Sequence, residues 1–154
     1  MSRHGAQVVW QSDGQFVSGR YSRRHQIRFD GGAVLAGSSS PEMVPAPMSD
    51  PAAADPEEML VAAVASCHML WFLDLARRAG FEIASYDDKA EGEMGRNAAG
   101  KTAITRVTLR PDVAFSGRRP DPDELAHLHH EAHERCFIAN SLNSEVLVLP
   151  AEPR

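Results

Sequence analysis

The chain has 154 residues, with sixteen Lys plus Arg against twenty-one Asp plus Glu and a formal net charge of −5. That length fits one domain, 1–154, able to bury a real core yet small enough that oligomerisation would help it. The acidic balance leaves no electrostatic footprint for nucleic acid or anionic lipid, so a small molecule or another protein chain is the expected partner.

The first third reads as strands and hairpins. Gln7–Trp10, then a long run over residues 15–29, then residues 33–37 alternate β-suited residues with the Gly-containing turns SDG and DGG. Phe29-Asp30-Gly31 predicts a tight hairpin, with Gly31 taking the positive φ that such turns need. Residues 37–55, rich in Pro, Ser and Ala, predict an exposed connecting loop.

DPEEMLVAAVASCHMLWFLDLARRAG is the strongest helix in the chain. Asp55 caps it, Pro56 suits its first position, Glu58 completes a capping box and Gly80 supplies the left-handed stop. Nearly every position from Met59 to Phe72 is apolar, so the helix must be covered on all sides, by a sheet and by a second helix or a second subunit.

Two long strands, FEIASYDDKAEGEM and KTAITRVTLRPDVAF, then form a hairpin around GRNAAG. Asp121, Pro122 and Glu124 repeat the cap arrangement at the start of a second helix that runs to about Arg135. CFIANSLN predicts a short helical turn, and SEVLVLP a closing strand. The order is α+β: N-terminal antiparallel strands, a long apolar central helix, a long β-hairpin, a second helix and a closing strand.

No basic, apolar leader opens the sequence, and the longest apolar segment is interrupted by Cys67, His68, Asp74 and Arg77. A cytoplasmic protein without a membrane span is expected. In a reducing compartment Cys67 and Cys136 suit catalysis, redox switching or no chemistry better than a permanent disulfide. To attack anything, a cysteine must be a thiolate, and apolar burial opposes that unless a cation stands nearby. In YSRRHQIRF, strand alternation puts Tyr21, Arg23, His25, Ile27 and Phe29 on the apolar face, and Ser22, Arg24, Gln26 and Arg28 on the other. Arg23 then points inward, toward a thiolate or into an ordinary structural ion pair.

DPEEMLVAAVASCHMLWFL and CFIANSL resemble the two signatures of the OsmC/Ohr family of thiol-dependent peroxidases, and SCHM with Y-S-R-x-H and FDGG is similar to the OsmC side of it. The resemblance runs from Arg20 to Leu149. It implies an OsmC/Ohr-like fold, with Cys67 as peroxidatic cysteine, Cys136 as resolving cysteine, Glu57 as the family glutamate and Arg23 as the family arginine. The implied reaction reduces an organic hydroperoxide to an alcohol through a Cys67 sulfenic acid and a Cys67–Cys136 disulfide. The disulfide is cleared by an external dithiol, lipoyl-type in some members, and no bound cofactor is implied. Met69, Trp71, Phe72 and Phe137 would favour organic peroxides, although simple core packing is the expected role for most of them. His68 and His25 are read as supporting groups around the site.

Glu57 and Cys67 lie ten positions apart on one helix, an axial offset of about 15 Å with faces nearly perpendicular, so their side chains cannot touch directly. Arg23 must span the gap, or the glutamate acts across an intimate homodimer. Two alternatives stay open. His129, His133 and Cys136 form a helical stripe of zinc-ligand types that His68 or Cys67 could complete; the competing reading is that His127, His129, His130 and His133 mostly solvate a polar helix face. The same cysteines could also serve as a redox switch without turnover.

Overall fold

Three short antiparallel strands open the structure: β1 (Ala6–Val9), β2 (His25–Phe29) and β3 (Val34–Gly37), in the order β1-β2-β3. The computed structural model describes residues 1–152 and 154. Contacts divide these into two compact units, Met1–Met59 and Leu60–Arg154.

In the first unit Val8, Ile27 and Leu35 stand in register across the three strands, and only Ile27 of the three is buried. The β2–β3 turn falls where FDGG placed it, but Gly32 (φ +90°), not Gly31, takes the left-handed position. The long strand expected over residues 15–29 is shortened to β2. Residues 11–24 instead make a loop closed by its own side chains: Asp13 accepts from the Ser22 amide at 2.8 Å, and the Trp10 indole donates to the Ser22 carbonyl at 2.8 Å. Phe29, expected inward, is exposed.

The connecting segment 37–55 is exposed only around Pro41–Met43 and at its other loop tips. Ser38, Ser49, Ala53 and Asp55 are buried. The Ser38 amide donates to Ala54 and the Ala54 amide to Ala36, so the chain folds back beside β3.

The central helix α1 (Pro56–Arg78) begins as its caps dictate: the Glu58 amide donates to Asp55 Oδ1 at 2.7 Å, and the Asp55 amide donates to Glu58 Oε2 at 3.1 Å. Gly80 (φ +82°) ends it. In the second unit one stripe of α1 is fully buried, Val64, His68, Phe72 and Ala76, each one turn from the next.

The expected hairpin is present, but each long strand is broken in two. β4 (Ile83–Asp88) pairs with β7 (Pro111–Phe115), while β5 (Glu91–Arg96) pairs with β6 (Thr102–Leu109), and β8 (Glu145–Val148) joins β6 in parallel. Pro111 marks one break, since it lacks the N–H that would continue a ladder. Helix α2 (Pro122–Arg135) has the complete Asp121–Glu124 capping box, and a 3-10 turn covers Ala139–Ser141.

The two sheets give α1 two separate floors. Val64, with Leu60, Val61 and Ala65 around it, packs on Val107 and Leu109 of β6 and on β8. Phe72 and Ala76 pack on Val113 and Phe115 of β7 and on Leu125, Leu128 and Ala132 of α2. By length and composition α1 could cross a membrane; here it carries the two core clusters of its unit. It is not covered all round: Ala62, Ala63, Ser66 and Leu70 are exposed.

Candidate thiol site

Cys67 and His68 lie on α1 between these two floors, one helical turn from Val64 and one from Phe72. Cys67 is half-exposed and its thiol is free. Cys136 is the C-terminal cap of α2, where its amide donates to the His133 carbonyl at 3.1 Å. The extended backbone at this cap (φ −68°, ψ 106°) turns the side chain inward, leaving the residue only 1% exposed. Its sulfur accepts from the Ala139 amide at 3.4 Å and neighbours the Cys67 thiol. Burial, aided by the neighbouring Cys67, pushes the Cys136 thiol up to about 11. A partly exposed Cys67 therefore neighbours a buried, protonated Cys136.

His68 finds its partner on α2. Its Nε2 and Nδ1 of His129 are 3.1 Å apart, and the ring planes are within 6° of each other. The 5.4 Å between centroids equals that N–N distance plus a ring radius at each end, so the rings meet edge to edge in one plane. His129 also lies face-on against Phe72, with centroids 4.3 Å apart. Desolvation lowers both imidazoles, to about 4 for His68 and about 3 for His129, so the pair is neutral at neutral pH. His129 is thus a core residue and does not belong to the solvated face expected of it. Among the described residues, no group of three or more His, Cys, Asp or Glu side chains is placed to hold a metal ion, so the His129, His133, Cys136 stripe does not converge.

Apolar side chains surround the thiols. Trp71 meets Phe137 edge-on at 5.6 Å, with the Arg135 guanidinium 6.0 Å from the Trp71 centroid. Phe137 and Leu70 are largely exposed, and Met69 is half-buried. Phe72 differs: with no exposed surface and both Tyr86 and His129 against it, it is core and not lining.

Arg23, Glu57 and His25 belong to the first unit. Arg23 is half-buried and Arg24 exposed, as alternation predicted, although β2 begins only at His25 and strand geometry is not the cause. Arg24 pairs with Asp50. The Arg23 guanidinium donates to the carbonyls of Tyr21 (2.6 Å) and Gly19 (3.2 Å) and stacks 3.7 Å over the Tyr21 ring. Its amide donates to Met48, and its carbonyl is 2.8 Å from His25 Nδ1. The expected Arg23–Glu57 pair is not formed: among the described residues neither side chain makes an ion pair, and Tyr21 with two carbonyls holds the guanidinium instead.

The OsmC-like protein family profile matches residues 49–149, about two thirds of the chain and all of the thiol site. The chain belongs to the OsmC-like protein family. A solved OsmC-like protein of unknown function from Vibrio cholerae is 47% identical, with a TM-score of 0.96 over 98% of this chain and 100% of that one. An organic hydroperoxide resistance protein from Elizabethkingia anophelis has a TM-score of 0.70 at 16% identity, covering 99% of this chain and 97% of that one. OhrB of Bacillus subtilis, another organic hydroperoxide resistance protein, has a TM-score of 0.67 at 16% identity, covering 97% and 98%. At that identity the last two show the OsmC-like fold alone. No curated protein matches the chain.

Sequence reasoning brought Cys67 and Cys136 together but left His68 without a partner. The signal for His129 was present: Leu125, Leu128, His129 and Ala132 form the buried face of α2, and His129 lies on it.

Proposed function

We propose that this OsmC-like protein is a thiol-dependent peroxidase that reduces organic hydroperoxides to alcohols, in a peroxide-stress role. The observation that carries the reading is the thiol pair, an accessible Cys67 within reach of a buried Cys136. The names of the hydroperoxide resistance proteins sharing the fold agree with it. In the first step the Cys67 thiolate attacks the distal oxygen of R–O–O–H. The O–O bond breaks, Cys67 becomes a sulfenic acid, and the alkoxide leaves and takes a proton as the alcohol. The Cys136 thiol then displaces that oxygen as water, forming the disulfide, which an external dithiol reduces by exchange.

Arg23 would stabilise the Cys67 thiolate and the developing charge on the peroxide, with Glu57 as its carboxylate partner in the working site. Met69, Trp71 and Phe137 would receive the organic group. We read α1 as a core helix whose exposed apolar face, Ala62, Ala63, Ser66 and Leu70, is covered by a second copy of the chain in a homodimer, and the protein as cytoplasmic. Steady-state turnover of cumene hydroperoxide, set against hydrogen peroxide and run with excess dithiol and with monothiol, tests the reading. Sustained consumption with dithiol and a preference for the organic peroxide are expected. A single equivalent consumed by the native protein would mark a redox switch instead.

A further inference from the structure

The His68–His129 contact has no place in that reaction, yet it joins the same two helices as the thiol pair. On α1 it is adjacent in sequence to Cys67, and on α2 it lies seven residues, two turns, before Cys136. Among the described residues it is the one hydrogen bond between side chains of α1 and α2. The remaining contact between the helices is mainly apolar, through Phe72, Ala76, Leu125, Leu128 and Ala132, with the exposed Arg135 guanidinium 6.0 Å from the Trp71 ring.

Apolar burial is non-directional and tolerates sliding. A slide of one turn moves a helix by about 5.4 Å, whereas a disulfide needs Cα atoms about 4.4–6.8 Å apart. A thiol–thiol hydrogen bond is too weak to hold that register. An in-plane N–H···N bond between two buried rings is directional, and the Phe72 face fixes the plane of one of them.

The pair is also costly as mere packing. If His68 donates, its Nδ1 is left as a bare acceptor and His129 Nε2 as an unmet donor; the other tautomer exchanges these roles. Both atoms are buried without a partner. Apolar residues of similar volume would avoid that cost, as they do at other polar core positions, so retention of the pair calls for a directional role.

We propose that the His68–His129 hydrogen bond sets the register of α2 along α1 and thereby holds Cys136 where it can condense with the Cys67 sulfenic acid. Both histidines are positioning residues for the step in which the new S–S bond replaces S–O and the oxygen leaves as water with the Cys136 proton. The inference rests on the peroxidase reading, but its test uses no peroxide.

The measurement is the Cys67–Cys136 disulfide equilibrium in buffers of reduced and oxidised dithiothreitol, read by mass spectrometry, with circular dichroism as a folding control. His129→Leu and His68→Leu keep the volume apolar and lose the bond. Each should weaken the disulfide about tenfold, or about 30 mV for a two-electron couple. His129→Asn, whose amide falls near the position of Nδ1, should recover most of it. Leucine variants within twofold of the native protein, or an Asn variant no better than Leu, would overturn the proposal. Should the leucine variants fail to fold, ¹⁵N-histidine spectra of the native protein decide: coupling across the N–H···N bond is expected in both the dithiol and the disulfide form, and its loss on oxidation sinks the idea. A native protein that forms no such disulfide at all overturns the peroxidase reading, and this proposal with it.

Discussion

Cys136, buried at the end of α2, neighbours Cys67, which stays partly exposed on α1. The two thiols are therefore unequal before any reaction. Burial holds Cys136 near 11, against an ordinary 9.0, so it carries about a hundredth of the thiolate of a free thiol. Brief treatment with iodoacetamide at pH 8 should label Cys67 alone, as read by peptide mass spectrometry. Equal labelling of both cysteines in the folded protein would contradict the arrangement.

The roles follow the same inequality. Cys67→Ser should abolish peroxide reduction, with activity down at least about a thousandfold, as expected for loss of a nucleophile. Cys136→Ser should still consume about one equivalent of peroxide and stop at an oxidised thiol. Dimedone labelling of Cys67 in that variant would identify the sulfenic acid. Steady-state turnover by Cys67→Ser would show that the assignment is reversed or wrong.

What could be read from the chain alone was what neighbouring residues decide. Both capping boxes, the Gly80 stop and the turn after Cys136 depend on residues within a few positions of one another, and all are present. Pro111 signalled an irregularity beside Arg110, but the break at Lys89–Ala90 was not legible, because it arises where one hairpin must serve two sheets. Nor was the loop over residues 11–24, where Phe16 and Tyr21 pack on the Trp10 ring and Ser22 is bound by Asp13 and Trp10 in place of a ladder. The partner of His68 lies 61 positions away on another helix, and a motif cannot supply it.

The buried imidazoles make stability sensitive to acid. Both are lowered in the folded state, to about 4 and about 3, from 6.5. The unfolded chain therefore binds protons before the folded one does. Their contribution is fully present above pH 6.5 and is lost as pH falls from there toward 4, on the order of 3 kcal/mol for His68 alone. Urea midpoints measured from pH 7.5 to 4.5 should fall across this window. His129→Leu should flatten the fall, and an unchanged slope in that variant would show that other groups cause it.

Gly92 of β5 faces Val61 of α1 so closely that a Cβ there would come 2.6 Å from Val61 Cγ2. Val61 cannot swing aside, because a β-branched residue in a helix is confined to one rotamer. Gly92→Ala should therefore destabilise the protein by about 1–3 kcal/mol through overpacking, and Val61→Ala in the same chain should restore part of the loss. Thermal unfolding of the two single variants and the double variant measures this coupling. Strict additivity would mean that the Gly92→Ala loss does not arise from the contact with Val61.

Arg23 and Arg24 are neighbours with different duties. Arg24 is exposed and engaged with Asp50, an ion pair at the surface, where such pairs contribute little. Arg23 is half-buried, makes no ion pair among the described residues, and is held by two carbonyls and the Tyr21 ring. The contact with the Tyr21 ring uses the planar stacking surface that lysine lacks. Arg23→Lys should therefore slow the peroxide step about tenfold or more and slow Cys67 alkylation near neutral pH, with stability little changed. Arg24→Lys should leave both rates within about twofold, as expected for an exposed pair. Stopped-flow peroxide consumption in a Cys136→Ser background isolates the step, since only one thiol then reports. Equal losses from the two substitutions would mean that general charge, not the held guanidinium of Arg23, serves the thiolate.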